Sequence, residues 1–491
     1  MSAWALLGLL AAVSPLLAAG AARVTGRSGM DDAFSGLGLV GASVTLITVA
    51  TDGPVAAFDG WVVFDRVGVA WTVFALAVVW SIRSFAHRQL AADPLRHRFA
   101  MWSAVTATSG VALFVAGNLA ALAIAAVLAG LAVAGVVGAH LHGGPVRRRV
   151  LTVLAVGDIA LLAGLVSVMA DAGTIDASAM VLVDGPVLHL GATAIVIAAL
   201  VACAQVPAHR WLVATLAAPT PASALLHAGL VNAGGVILIR TAPLVSRSTV
   251  AIVVGLAVTV ASMAVAVAVM RLRSEVKSAL VWSTVAQMGF MLTQALVGLG
   301  AAAAAHLIAH GAYKSHLFLA SGSTIEHPPV QRRPSTAVSD RLLALVAGAG
   351  VVALAAPLSG YDVTAQDGAA VLIPLFAAVT VVVVLAGPRG IDATDPARSA
   401  VLVVAMGLLS FAYLGLLWRF EKWLQLPEAT PSGALAMVLV VAALVVAAAW
   451  VSGRLSTDPR PAAAATEARL VALSRPPEAG AGRAGATTGA A

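Results

Sequence analysis

His306, His310 and Lys314 stand at i, i+4 and i+8 of the apolar run 301–325, so they share one helix face near its middle. Histidine titrates near neutrality without help, and burial disfavours the charged form of a lysine. Three such groups in file can pass a proton between hydrogen-bonded neighbours. Zinc fits this row poorly, because two imidazole nitrogens leave the ion short of ligands and Lys314 repels it. A buried polar cluster that holds helices together is the alternative reading. His227, Asp158 (in Val156-Gly-Asp-Ile159) and Lys277 lie in other apolar runs. Ionisable groups at mid-span cost about 2.5–3.5 kcal/mol each on the insertion scale, so function is the default reading. Asp158 needs a cationic partner, expected among the histidine and lysine sites. Lys277 fits either a proton path or a lysine at the cytoplasmic membrane boundary. His316 falls off the His306 face.

The element that must position these groups runs from Cys203 to Thr241. It is largely apolar yet holds Pro207, Pro219 and Pro221, two histidines, an asparagine and two arginines. Pro207 ends one helix. A second is expected to start at Thr220 as N-cap, with Pro221 in the first helical position, and to carry both His227 and Asn232. Non-helical backbone at membrane depth is tolerated only where protein or a wet cavity surrounds it, and broken helices build ion sites. An interfacial loop between two ordinary spans is the plainer alternative.

A chain with 60% hydrophobic and 10% charged residues is not a soluble domain, which carries about 25% charged residues. Runs of spanning length lie near 3–22, 33–51, 66–83, 99–117, 118–139, 150–170, 186–206, 221–240, 249–270, 277–299, 301–325, 341–359, 369–387, 399–419 and 433–452. The charges in the gaps alternate. Arginines (Arg23, Arg88, Arg96, Arg98, Arg147 to Arg149, among others) follow odd-numbered spans; Arg83 is counted with them. Aspartates such as Asp52, Asp59, Asp171, Asp176 and Asp184 follow even-numbered ones. The positive-inside rule then puts the N-terminus outside and the C-terminus in the cytoplasm of a multi-pass cell-membrane protein. Arg240 and Arg247 break the pattern. The +7 formal charge is therefore a topology signal, not a sign of nucleic-acid binding. The single cysteine, Cys203, excludes an internal disulfide and a multi-cysteine metal site. Residues 1–22 lack a basic leading segment and read as a retained span. The stretch 456–491 reads as a disordered cytoplasmic tail.

Two blocks carry a family resemblance. One is Gln205-Val-Pro, Trp211-Leu and Pro219-Thr-Pro-Ala-Ser-Ala-Leu-Leu-His227-Ala. The other is Val276-Lys277, Trp282-Ser-Thr-Val-Ala-Gln-Met-Gly289 and His306-Leu-Ile-Ala-His310-Gly-Ala-Tyr-Lys314-Ser-His-Leu-Phe-Leu-Ala-Ser-Gly-Ser323. Together they resemble the proton-conducting, antiporter-like subunits of respiratory complex I, Mrp antiporters and the DAB inorganic-carbon pump, over roughly 99–325. The forms around His227 and Lys314 look most like DabB, the membrane subunit of that pump.

The resemblance implies an all-α polytopic membrane protein of about 13–15 transmembrane helices with broken helices and two inverted five-helix repeats. The expected organisation is N-terminal helices (1–98), a core (99–387, repeats about 99–240 and 249–387), C-terminal helices (388–455) and the tail. It implies ion conduction through His227, Asp158, Lys277, His306, His310 and Lys314, with no cofactor in this chain and no enzymatic activity. The implied partner is a DabA-like soluble zinc protein at the cytoplasmic face; a respiratory or Mrp-type antiporter subunit is the alternative. Departures are plain. The family glutamate of the fifth span is replaced around Val127, the lysine before Gln205 by Ala202, and only three lysines are present, Lys277, Lys314 and Lys422. No lateral C-terminal helix of the complex I kind is recognisable.

Overall fold

The computed structural model describes residues 2–26, 28–139, 144–272, 275–321, 412–413 and 415–426. The first eleven expected spans fall at least largely within these residues and all are helical. The expected spans near 341–359, 369–387 and 433–452, most of that near 399–419, and the tail lie outside the described residues. Of the stretch expected to form a second repeat, the described residues reach only as far as 321.

The helices are α1 (Ala3–Thr25), α2 (Ser28–Asp52), α3 (Arg66–Gln89), α4 (Arg96–Phe114), α5 (Leu119–Val137), α6 (Gly144–Ala172), α7 (Ala179–Leu182) and α8 (Gly185–Ala202). There follow α9 (Arg210–Ala214), α10 (Thr220–Ala228), α11 (Ala233–Arg240), α12 (Ala242–Val245), α13 (Thr249–Leu272), α14 (Val276–Leu296) and α15 (Gly300–Ala320). Local signals explain several starts. Ser2, Asp65 and Asn118 each accept a hydrogen bond from a backbone N–H of the first turn they precede, at 3.2, 2.7 and 2.8 Å. Among the described residues, eight stretches are long and apolar enough to cross a membrane: α1, α2, α3, α5, α6, α8, the α10–α11 stretch and α13. The other three that match expected spans, α4, α14 and α15, have 19, 21 and 21 residues. Large apolar side chains left exposed on these helices, such as Leu37, Ile47, Ile124, Ile159 and Leu190, suit contact with lipid. Residues 415–424 form a further helix whose Leu417 and Leu424 pack into the same core.

One short hairpin was not anticipated. Strands β1 (Val55–Ala57) and β2 (Val62–Phe64) pair antiparallel, with Val55 opposite Phe64, across a turn in which Phe58, Asp59 and Gly60 all have positive φ. Val62 bridges to Ala116 and Asn118 to Asp176. These bridges bring the gaps after the second, fourth and sixth spans to one end of the bundle. Arg240 joins them by pairing with Asp65 and the Phe114 carbonyl, and Arg247 by pairing with Asp184 and, at 3.0 Å, the Met180 carbonyl. The two arginines that break the charge pattern thus sit at the acidic end and are neutralised there. Arg83 is a correction of a different kind. It is buried within α3, paired with Asp31 of α2, and belongs to the bundle rather than to a gap.

Labelling tests the orientation. Cys203 is fully buried, so an introduced cysteine reports alone. An impermeant thiol reagent added outside is expected to modify D176C and to spare R148C; the reverse pattern would invert the topology.

Candidate functional site

The broken stretch begins where α8 ends. Ala204 has φ 53°, a left-handed conformation that costs about 1 kcal/mol or more for a non-glycine residue. The freed backbone is tied down at once. Trp211 Nε1 donates to the Val201 carbonyl (3.0 Å), Gln205 Nε2 to those of Cys203 (2.9 Å) and Val285 (3.2 Å), and Cys203 Sγ to that of Val231 (3.1 Å). Pro207 lies in the loop between α8 and α9. After a 3₁₀ turn (Thr215–Ala217), Lys277 of α14 donates to the Leu216 carbonyl at 3.1 Å and the Ala218 carbonyl at 2.6 Å. Lys277, in the first turn of α14, thus satisfies carbonyls freed by the break before α10.

The start of α10 lies one residue earlier than expected. Thr220 is its first residue, Pro219 occupies the cap without a side-chain bond, and Pro221 sits in the first turn. The helix also stops sooner. It ends at Ala228, and a 3₁₀ turn (Leu230–Asn232) separates it from α11. His227 therefore lies in the last turn of α10 while Asn232 closes the 3₁₀ turn of a second break, so the two are not on one helix. Gly229, Gly234 and Gly235 weaken helix continuity here. Close packing also requires Gly234, where a Cβ would come within 2.7 Å of Cys203 Sγ. Asn232 Nδ2 donates to the Ala228 carbonyl at 2.9 Å. Nearly every residue of α10 and α11 is buried, His227 and Asn232 completely, so this is no interfacial loop.

His227 meets α14. Its Nδ1 lies 3.1 Å from Thr284 Oγ1, whose own hydrogen goes to the Leu280 carbonyl at 2.9 Å. The network therefore assigns the hydrogen to Nδ1 and leaves Nε2 as a buried lone pair without a partner among the described residues. The ring stacks on Phe318 of α15, centroids 4.3 Å apart. Lys314 approaches the same carbonyl from α15: Nζ donates to Leu280 (3.1 Å) and to Ser283 Oγ. Two acceptors satisfy both N–H groups of a neutral amine and leave one N–H of an ammonium over. Gly311 lets α15 come this close, since a Cβ there would lie 2.7 Å from the Ala228 carbonyl oxygen. Among the described residues, the two ring nitrogens of buried His310 have no hydrogen-bond partner, and its ring centroid lies 6.0 Å from that of His306, which rests 5.5 Å from Phe290. His227, His310 and Lys314 interact electrostatically with one another, and Lys277 with His227.

Asp158 stands apart. It projects from the middle of α6 over Gly130 of α5, where a Cβ would come 2.9 Å from Asp158 Oδ2. It lines a cavity of 30 Å³ with Ala126, Ala202, Trp211 and Ala233, room for about one or two waters. Among the described residues it has no ion-pair partner, so the expected pairing with a histidine or lysine does not occur. Two of the expected departures, at Ala202 and beside Val127, fall at this cavity, where small side chains leave the carboxylate without a cation. His316 is exposed. Sequence reasoning missed Ser283 and Thr284. They lie inside the Trp282-Ser-Thr block, and adjacent hydroxyls in that block were the available signal.

Residues 148–386, just under half of the chain, match the model of the NADH:quinone oxidoreductase/Mrp antiporter transmembrane family. Among curated proteins, the chain is similar to the probable inorganic carbon transporter subunit DabB2 of Halothiobacillus neapolitanus, 38% identical over 175 residues (35% of this chain, 32% of the relative). It is also similar to the probable inorganic carbon transporter subunit DabB of Hydrogenovibrio crunogenus, 46% identical over 151 residues (31% of this chain, 29% of the relative). The chain thus spans about a third of the length of these relatives. In fold it resembles a chain of the Mrp complex from Dietzia sp., with TM-score 0.59 at 20% identity, covering 96% of this chain and 58% of that one.

Thr284 offers a test of the histidine network. T284V keeps the shape but leaves His227 Nδ1–H unpaired, which is expected to cost about 1–3 kcal/mol. T284S keeps the acceptor and should melt like wild type in detergent. Equal melting temperatures for T284V and wild type would remove this hydrogen bond from the structure's support.

Proposed function

We propose that this antiporter-like membrane chain is the membrane subunit of an energy-coupled inorganic-carbon (CO2/bicarbonate) uptake complex, conducting cations to drive a DabA-like zinc-binding partner. The observation that carries the reading is the buried group of His227 and Lys314, held by the hydroxyls and carbonyl of α14, with His310 buried beside them and a doubly broken helix alongside. The names of the relatives supply the substrate class. Because the group contains nitrogen bases and no carboxylate, it favours protons over sodium, which the lysine ammonium would repel.

In this mechanism a proton arrives at the free Nε2 of His227 or at a His310 nitrogen. Two cations in a poorly solvated cluster repel each other, so a charge on one base promotes release from the next. Lys314, held by two acceptors, gives up its third hydrogen and takes one back without losing its place. His306 extends the row along α15. Asp158, across the α8–α11 layer, serves as a separate protonatable station with its own water-sized cavity. Lys277 holds the break open in shape while adding charge near His227. The partner carries the zinc and the carbon chemistry and docks at the arginine-rich, cytoplasmic face; this chain moves ions and catalyses nothing.

K314A tests the conducting role. Lys314 has no carboxylate partner among the described residues, so its removal strands no buried charge. The variant is expected in membranes at normal yield, and a host lacking carbonic anhydrase should lose carbon-dependent growth. Normal yield with full growth would take Lys314 out of the mechanism.

The second reading, a subunit of a respiratory or Mrp-type antiporter, is favoured by the fold likeness to Mrp. Affinity purification separates the two. The carbon-uptake reading expects a soluble companion with stoichiometric zinc and none retained by this chain alone; several small membrane companions without zinc would favour the antiporter.

A further inference from the structure

At the arginine-rich end of the bundle, the ends of α1 and α3 and the start of α4 enclose a cavity of 220 Å³. Five basic side chains line it: Arg23 in the last turn of α1, Arg83 and His87 of α3, and Arg96 and His97 in the first turn of α4. Much of the rest of the wall is apolar, including Ala22, Leu90 and Phe99.

The charges there do not cancel. Asp31 pairs with Arg83 and, at 2.7 Å, with His87 Nε2, and Arg83 also donates to the Pro15 carbonyl at 3.0 Å. Among the described residues, buried Arg83 Nε has no hydrogen-bond partner. Arg96 donates to the Ala91 carbonyl at 2.9 Å. Among the described residues, neither Arg23 nor Arg96 has a carboxylate within ion-pair distance. The backbone N–H groups at the start of α4 are largely engaged, Arg96 N with the Asp93 carbonyl (3.2 Å) and Arg98 N and Phe99 N with the Leu95 carbonyl (2.9 and 3.2 Å), so the attraction for an anion rests on the arginine side chains.

From this arrangement we infer that the cavity is a binding site for the phosphate of an anionic glycerophospholipid. Its phosphodiester meets Arg23 and Arg96 at the mouth, and its glycerol and first acyl carbons lie against the apolar wall. A free oxyanion would satisfy the arginines but not the apolar half. The cavity also lies at the ends of spanning helices, the depth at which lipid headgroups sit, and basic pockets between spans at the cytoplasmic side take such headgroups. The site is independent of the transport reading, and its test reads binding rather than uptake.

The full chain, purified in neutral detergent, is titrated with phosphatidylglycerol, phosphatidylcholine or inorganic phosphate and followed by melting temperature and native mass spectrometry. Phosphatidylglycerol is expected to be retained and to raise the melting temperature, with phosphatidylcholine and phosphate doing neither. Arg23 and Arg96 are exposed, so the double variant R23Q/R96Q should fold, and it should hold phosphatidylglycerol roughly thirty-fold more weakly, as expected for two near-surface charges. R88Q/R98Q, at exposed arginines that do not line the cavity, should bind as wild type does. Equal protection by phosphatidylcholine would overturn the site, as would unchanged retention by R23Q/R96Q. Protection by inorganic phosphate alone would make it a free-oxyanion site and overturn the lipid assignment.

Discussion

A helix interrupted inside an apolar bundle frees carbonyls and N–H groups that water cannot reach, and each must find a partner. The path from α8 to α11 is interrupted twice, and its architecture follows from how those groups are satisfied. Trp211 and Gln205 serve the end of α8, Asn232 serves the end of α10, and Lys277 reaches in from α14 to the two carbonyls before α10. The donors come partly from the segment and partly from α14, so the break and that helix form one unit. An ammonium used as a carbonyl cap is also a positive charge held near His227, and one side chain thereby serves structure and electrostatics together.

Helix α14 acts as the strut on which the candidate site is assembled. Four consecutive turns' worth of geometry is not needed; Leu280, Ser283 and Thr284 suffice. The Leu280 carbonyl accepts from Thr284 and Lys314, and Ser283 also donates to it at 2.8 Å. This convergence orients the hydroxyls, and the hydroxyls orient the imidazole and the amine. The result is a cluster of bases without an acid, while the carboxylate of Asp158 lies beyond α8 and α11. Separation has a physical consequence: among the described residues, no buried ion pair locks the bases into a fixed charge state.

The two ends of the bundle handle charge differently. At the acidic end, Arg240 and Arg247 pair with partly exposed or exposed aspartates, contacts that add modestly to stability and mainly set which loops lie together. At the opposite end the Arg83–Asp31 pair is almost wholly buried. Removing either partner there would strand a charge, so the pair constrains how α2 sits on α3, and it holds one wall of the basic cavity in place.

Much of this was legible along the chain. The row His306, His310, Lys314 needs only the helical repeat, the prolines announce a broken stretch, and the charge alternation orders the spans, because each is a local or compositional property. The resemblance of the two blocks added the antiporter-like core. What tertiary structure decided was everything that depends on how helices are rotated against one another. It ended α10 just after His227, turned Asp158 toward a small cavity instead of a cation, buried Arg83 and sent Lys277 to two carbonyls. It also made Thr284 the partner of His227, 57 residues away in sequence. A helix repeat states which residues share a face, but which neighbour that face meets is set by packing across the whole bundle, where close approaches such as those at Gly234 and Gly311 select one arrangement.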